Sequence, residues 1–305
     1  MKILVTGSNG FVGKALVPAL TAAGHTVLAL TREISGDINA QTDWTPHLSG
    51  VDVVIHLAAR VHMLNDTLAD PLEMYRLVNT AGTLNLARQA AACGVKRFIF
   101  LSSIKVNGEK TAPGQPFTTQ TPPAPLDPYG VSKFEAEEGL KRIAAETPLE
   151  YVIIRPPLVY GAGVKANFLS MMRWLDRGVP LPLGAVNNRR SLIAIDNLVD
   201  LIITCVGHPA AANQLFLAAD GEDLSTTDLL KRLGIALGKP ARLIPVPPIL
   251  IETAAAVLGK KGITQRLFGS LQVDNSAARM LLNWKPPLTV DEGLRRTADA
   301  YRTAS

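Results

Sequence analysis

The chain opens with an apolar strand that runs straight into three glycines. Lys2-Ile3-Leu4-Val5-Thr6 leads into Gly7-Ser8-Asn9-Gly10-Phe11-Val12-Gly13, and helical apolar spacing follows from Phe11 to Ala23. Glycines at G-x-x-G-x-x-G spacing allow a tight turn and let backbone N–H groups approach a pyrophosphate at the positive end of a helix. Gly13 also lets that helix pack close to the strand. Strand, glycine turn and helix in this order begin a βαβ unit, and they tie the chain to a parallel sheet.

The rest of the first half repeats that alternation. Thr26–Thr31, Asp52–Leu57, Lys96–Ser102 and Glu150–Arg155 are β-rich and almost wholly apolar inside. Strands without polar alternation are buried on both faces, as in a parallel sheet covered by helices. Helical spacing fills about Leu68–Cys93 and Tyr129–Thr147. We therefore expect an α/β chain. Residues 1–155 form a doubly wound Rossmann sheet, and 156–305 form mainly a smaller α/β substrate lobe, with re-entry into the first domain left open. Leu192–Ile195 and Gln214–Ala218 read as isolated strands. Pro245–Gly259 reads as a core-facing helix behind a Pro-rich lead-in. Asn107–Asp127, rich in Pro, Thr and Gly, is either a lid or a surface loop.

Composition narrows the function. The 305 residues carry a net charge of +5. Residues 1–150 are near neutral, so the surplus lies in the second half, without the dense basic stripe of a nucleic-acid binder. An anionic small molecule held by the second half fits better. Two cysteines, Cys93 and Cys205, make no disulfide framework and no metal-ligand spacing, which fits a reduced cytoplasm. Cys93 reads as a buried, inert thiol, and Trp44, Trp174 and Trp284 as packing residues. The first apolar run is too short for a signal peptide, and no stretch approaches the ~18 apolar residues of a membrane span.

Two further places carry chemistry. At the end of the second strand stand Thr31-Arg32-Glu33. An arginine there accommodates a 2′-phosphate, whereas an acid takes the ribose hydroxyls, so Arg32 favours NADP over NAD and Glu33 blurs the choice. Gly36-Asp37-Ile38 resembles a short third strand, with Asp37 near the adenine or simply in a turn. Tyr129 and Lys133 lie four residues apart, on one helix face. A tyrosine of ordinary pKa ~10 needs a neighbouring cation to exchange protons near neutrality. Ser102-Ser103 ends the fourth strand, at the sheet edge where doubly wound folds bind ligands.

These motifs, in this order and spacing, resemble the extended short-chain dehydrogenase/reductases that modify nucleotide sugars, the NAD-dependent epimerase/dehydratase family. The match includes Gly7, Gly10 and Gly13, His56-Leu57-Ala58-Ala59, Val78-Asn79, Gly82-Thr83, Ser102-Ser103 and Tyr129/Lys133. The resemblance implies Ser103, Tyr129 and Lys133 as the catalytic triad. It implies cofactor contacts from Gly7, Asn9, Gly10, Phe11, Val12, Gly13, Arg32, Asp37, Ile38, Leu57, Ala58, Ala59, Asn79, Ser102, Tyr129, Lys133 and Pro156. For the sugar nucleotide it implies Ser103, Asn167, Phe168 and Arg190, with Arg190 on the diphosphate; Lys105, so close to Ser103, either meets the substrate or points into solvent. A homodimer is a family expectation.

Two departures refine the class. Family dehydratases carry Asp-Glu after the catalytic hydroxyl residue, and here Ile104-Lys105 stand instead, which disfavours water loss. Asn107 occupies a position where relatives usually have Tyr, and Leu158 one where they often have Asn. The run Ser103–Gly108 is similar to bacterial UDP-4-keto-6-deoxy-N-acetylhexosamine 4-reductases, commonly labelled UDP-glucose 4-epimerases. The expectation is therefore an NAD(P)-dependent oxidoreductase at C4 of a UDP-sugar. Arg32 and the short chain favour 4-keto reduction over its alternative, 4-epimerisation with tightly bound NAD. A dinucleotide sensor without catalysis is the third reading. His56 reads as a satisfied core histidine, and His62 as a sugar contact or a loop residue.

Overall fold

The computed structural model describes residues 1–61, 71–112, 114–257 and 267–304. Its main sheet has six strands in the order β2-β1-β3-β4-β5-β8: β1 Lys2–Thr6, β2 Thr26–Leu30, β3 Val53–His56, β4 Arg97–Leu101, β5 Glu150–Arg155 and β8 Gln214–Leu217. Every pairing is parallel. The interiors of β1 and β3–β5 are almost fully buried, as their unbroken apolar sequence requires. Helices Phe11–Ala22 and Ile195–Gly207 cover one face through Leu16, Leu20, Leu198 and Ile202. Helices Thr83–Ala92 and Pro128–Glu146 cover the other through Leu86, Ala90, Ala136 and Leu140.

The second half is split between two sheets. Gln214–Leu217 is not isolated: it pairs with β5 and closes the main sheet. Helix Ile195–Gly207 packs against the same sheet. The lobe has its own three-stranded sheet, β6 Leu158–Tyr160, β7 Arg190–Ala194 and β9 Asp223–Leu224. Its core gathers Tyr160, Phe168, Met172, Leu230, Leu233 and Leu294. The loop after Ser103 is laced to the lobe: Thr111 N donates to Ser270 O at 2.9 Å and Phe117 N to Gln272 O at 2.9 Å.

Four local expectations need correction. No strand forms at 36–38. Arg32–Ser35 is a helical turn that stops at Gly36, whose φ of +69° turns the chain away. In helix Pro248–Val257, Ile249 and Leu250 are 66% and 59% exposed, so it does not bury its whole apolar surface. Trp174 is also exposed, unlike the buried Trp44 and Trp284. Cys93 is exposed, because it follows the last turn of its helix, while Cys205 is buried.

Candidate active site

The strand order reverses between β1 and β3, and ligands of open parallel sheets bind at the carboxyl ends of strands at such a point. The glycine loop lies there. Gly7 has φ +68°, and a Cβ on it would stand 2.8 Å from the backbone N of Ala58. A Cβ on Gly13 would stand 2.4 Å from Gly7 O and 2.6 Å from Ser8 Cα. Ser8 Oγ donates to Leu30 O at 2.9 Å, which ties the loop to the end of β2. Helix Phe11–Ala22 has no capping side chain and no acid in its first turn. Its first N–H groups and dipole thus face the crevice without a protein anion, and that fits a bound pyrophosphate.

At the outer end of the crevice, Arg32 Nε donates to Asp37 Oδ1 at 2.6 Å, and both side chains are well exposed. An exposed pair of this kind contributes about 0–1 kcal/mol, so either member turns to a ligand at little cost. Ile38 packs so tightly against Gly82 that a Cβ there would meet it at 2.5 Å. Asn9 is exposed, and Phe11, Val12, Leu57, Ala58 and Ala59 are half-buried along the crevice.

Helix Pro128–Glu146 carries Tyr129 and Lys133, the residues expected to do the chemistry. Asp127 caps it, accepting from Gly130 N at 2.7 Å, and Pro128 sits at its first position. Tyr129 hydrogen-bonds Ser103. Ser103 Oγ also accepts from Lys105 N at 3.3 Å, capping the short turn Ile104–Val106. Lys133 donates from Nζ to Leu101 O at 2.9 Å and stands 4.4 Å from the Phe100 ring and 6.0 Å from the Tyr129 ring. Ser103, Tyr129 and Lys133 thus converge at the end of β4. Burial pushes the Tyr129 phenol up, Asp127 adds to this and the Ser103 hydrogen bond opposes it. Burial pushes the Lys133 ammonium down to about 7, with the Glu137 carboxylate opposing.

The other expected contacts divide. Asn79 is buried; it accepts from Arg60 N at 2.8 Å and donates to Ser132 Oγ at 3.0 Å, so its side chain pins the crevice wall to helix Pro128–Glu146. Ser102 turns inward to Glu137. Pro156 is buried, and its carbonyl accepts from Ile104 N at 3.0 Å. Lys105 pairs with Asp127 and lies 3.5 Å from Glu109. In the lobe, Asn167 is exposed. Phe168 is 1% exposed and stacked on Tyr160 at 5.6 Å. The Phe168 ring therefore faces the lobe core from the first turn of an amphipathic helix. Arg190 starts β7 and donates from Nη1 to Gly269 O at 2.9 Å, and burial pulls its pKa down. His62 lies outside the described residues.

His56 is fully buried between Thr6 Oγ1, at 2.7 Å, and Thr83 Oγ1, at 3.0 Å. Burial, then the Lys133 charge, depresses its pKa to about 3 from an ordinary 6.5. The unfolded chain binds a proton that the folded chain refuses. His56 therefore contributes stability in full above pH 6.5 and loses it as pH falls toward 3, at up to about 1.4 kcal/mol per pH unit. In urea denaturation at pH 7 and pH ~4.5, the wild type should lose more stability on acidification than His56→Asn. Equal losses would show that His56 is not held neutral.

Sequence reasoning did not find the role of Glu137 and Arg155. Arg155 donates from Nε to Glu137 Oε1 at 2.9 Å and also pairs through Nη2, behind the Ser102–Ser103 corner. The signal was present, since Tyr129, Lys133 and Glu137 recur every four residues on one face. Among the described residues no cluster of His, Cys, Asp or Glu is arranged to hold a metal, and no helix is long and apolar enough to cross a membrane.

Comparison with known proteins shows the family and the fold. A sequence model described as the NAD dependent epimerase/dehydratase family matches residues 3–218. A Vibrio cholerae protein named UDP-glucose 4-epimerase is 52% identical over 99% of this chain and 96% of its own length. Among solved structures, the UDP-N-acetylglucosamine 4-epimerase of Bacillus cereus superposes with a TM-score of 0.81 at 21% identity, covering 99% of each chain. The UDP-glucose 4-epimerase of Thermotoga maritima, solved with UDP-glucose, gives 0.80 at 23% identity, covering 100% of this chain and 99% of that one. At those identities the structural matches speak for the fold.

Proposed function

This chain belongs to the NAD dependent epimerase/dehydratase family, and on that premise we propose that it is a UDP-sugar 4-epimerase working with a tightly held NAD. The observation that carries the reading is the near full-length identity of 52% to a protein named UDP-glucose 4-epimerase. The meeting of Ser103, Tyr129 and Lys133 at one strand end supports it. That relative moves the balance between the two C4 reactions from reduction to epimerisation.

The nicotinamide ring, when bound, supplies the hydride acceptor and donor. The remaining work falls to side chains. Tyr129 exchanges the proton of the C4 hydroxyl, and Ser103, already bonded to Tyr129, donates to the same oxygen. Protonated Lys133 offsets the burial that opposes the phenolate. Removal and return of the proton at O4 ask the same of Tyr129, so one group serves both halves of an epimerisation. Gly7 and Gly13 allow the loop to close on the pyrophosphate. Asn167 and Arg190 are the lobe's polar candidates for the uridine diphosphate, and the charge surplus of the second half suits that anion.

The cofactor decides between the two C4 reactions. Protein purified without added nucleotide is denatured, and the released dinucleotide is identified by mass spectrometry. Epimerisation predicts near-stoichiometric NAD. An empty site that takes up NADPH through Arg32 and consumes it with a 4-keto UDP-sugar would return the reductase.

A further inference from the structure

Four elements meet in a buried polar network behind the triad. Glu137 lies on the catalytic helix one turn beyond Lys133 and is 0% exposed. Its Oε1 accepts from Ser102 Oγ, at the end of β4, and from Arg155 Nε at 2.9 Å; its Oε2 pairs with Arg155 Nη2. Arg155 ends β5 and is 2% exposed. Its Nη1 donates to Asn107 Oδ1 at 2.9 Å, and Asn107, also 2% exposed, reaches Thr121 O at 3.4 Å through Nδ2.

Burying an ion pair seldom gains stability over a well-packed apolar pair, because desolvation offsets the attraction. What it supplies is direction. A bidentate guanidinium–carboxylate pair fixes two planes relative to each other, and each remaining donor or acceptor here fixes one more element. The catalytic helix, the Ser102–Ser103 corner, β5 and the loop after Ser103 are thereby held in one frame. Asn107 is what lets this chain extend the frame into that loop, since its short amide accepts from Arg155 and donates onward.

We infer that the Glu137–Arg155 pair positions the active site, seating Ser102–Ser103 against the helix of Tyr129 and Lys133 and supplying the counter-charge one turn from the Lys133 ammonium. Both side chains are buried behind the triad and act through the groups they hold, so both are positioning residues. The inference rests on the epimerase reading only for its kinetic readout.

The test replaces both charges while keeping groups that can hydrogen-bond, in the full-length double variant Glu137→Gln/Arg155→Gln. Glu137→Gln alone should be the less stable protein, because it leaves the Arg155 charge buried without its anion. The double variant should recover melting temperature, with kcat about 10²-fold down and KM unchanged, as displacement of reacting groups by about 1 Å does. Recovery of kcat together with melting temperature would overturn the inference, since a purely structural pair predicts that. Ser102→Ala removes one hydroxyl and leaves the pair. It should lower kcat about tenfold and the melting temperature only modestly, with recovery of kcat in Ser102→Thr, and wild-type kcat in Ser102→Ala would contradict the assignment. Substrate-free protein gives a separate answer. Lys133 faces Tyr129, His56 and Glu137, and its titration, followed by NMR of its Cε, should move below that of the wild type once the Glu137 charge is gone. An unmoved midpoint would overturn the counter-charge role even if no UDP-sugar is turned over.

Discussion

Tyr129→Phe is expected to lower kcat for sugar interconversion by about 10²–10⁴-fold, the usual contribution of a positioned proton-exchanging group. Little else should change. The ring keeps its edge contact with Tyr75, at 6.1 Å between centroids. Ser103 Oγ keeps the backbone donor Lys105 N. One hydroxyl hydrogen bond is lost, a cost of about 0.5–1.5 kcal/mol. The variant should therefore melt close to the wild type and release the same cofactor on denaturation. Steady-state kinetics beside a thermal melt separates the cases. A kcat within threefold of the wild type would remove Tyr129 from proton exchange.

Gly13→Ala should fail to bind the dinucleotide and should destabilise the fold, against the trend for its position. Inside an ordinary helix, glycine to alanine stabilises by up to about 1 kcal/mol. At Gly13 the new methyl would meet Gly7 O at 2.4 Å and Ser8 Cα at 2.6 Å, and these are backbone atoms of the loop itself. Overpacking of this kind typically costs about 1–3 kcal/mol, and relief requires the loop to leave the position that suits a pyrophosphate. Gly207→Ala is the control, because that glycine ends helix Ile195–Gly207 and a Cβ on it would meet nothing within 4 Å. Urea denaturation and fluorescence titration with NAD should separate the two variants by sign in stability and by loss of binding in Gly13→Ala alone. Normal binding by Gly13→Ala would place the dinucleotide elsewhere.

Much of the fold was legible because a parallel sheet writes its strands as unbroken apolar runs. The first five strands stand where those runs stand, and the glycine loop lies at the reversal of strand order that its sequence context implied. What pattern could not give was partnership. Gln214–Leu217 reads as an isolated strand because nothing local says that its neighbour is β5, more than 60 residues earlier. Phe168 sits beside Asn167 in a motif, yet the helical period sends one side chain to the lobe core and leaves the other exposed. Gly36–Ile38 had strand-like neighbours, but the positive φ of Gly36 ended the extension. The exposure of Ile249 and Leu250 could not be read from hydropathy, which reports what a residue prefers and not what covers it.

The site shows the same division. Tyr129 and Lys133 are readable because the four-residue spacing is itself the geometry. Glu137 continues that spacing, but its partners Ser102 and Arg155, and Asn107 beyond Arg155, come from three other segments, and only the folded sheet brings them together. Arg32 favoured NADP from its place at the end of β2. The exposed pair it makes with Asp37 leaves an acid and a base side by side where the ribose would lie, so position alone does not choose the cofactor.

The most direct test of the account is to incubate the purified protein, with no added cofactor, with UDP-glucose and separately with UDP-N-acetylglucosamine, and to follow the C4 configuration by NMR. The account predicts conversion of at least one sugar to an equilibrium mixture with its C4 epimer, many turnovers per bound NAD, and no net change in nicotinamide absorbance. Failure to convert either sugar, together with stoichiometric oxidation of NADPH by a 4-keto UDP-sugar, would contradict it.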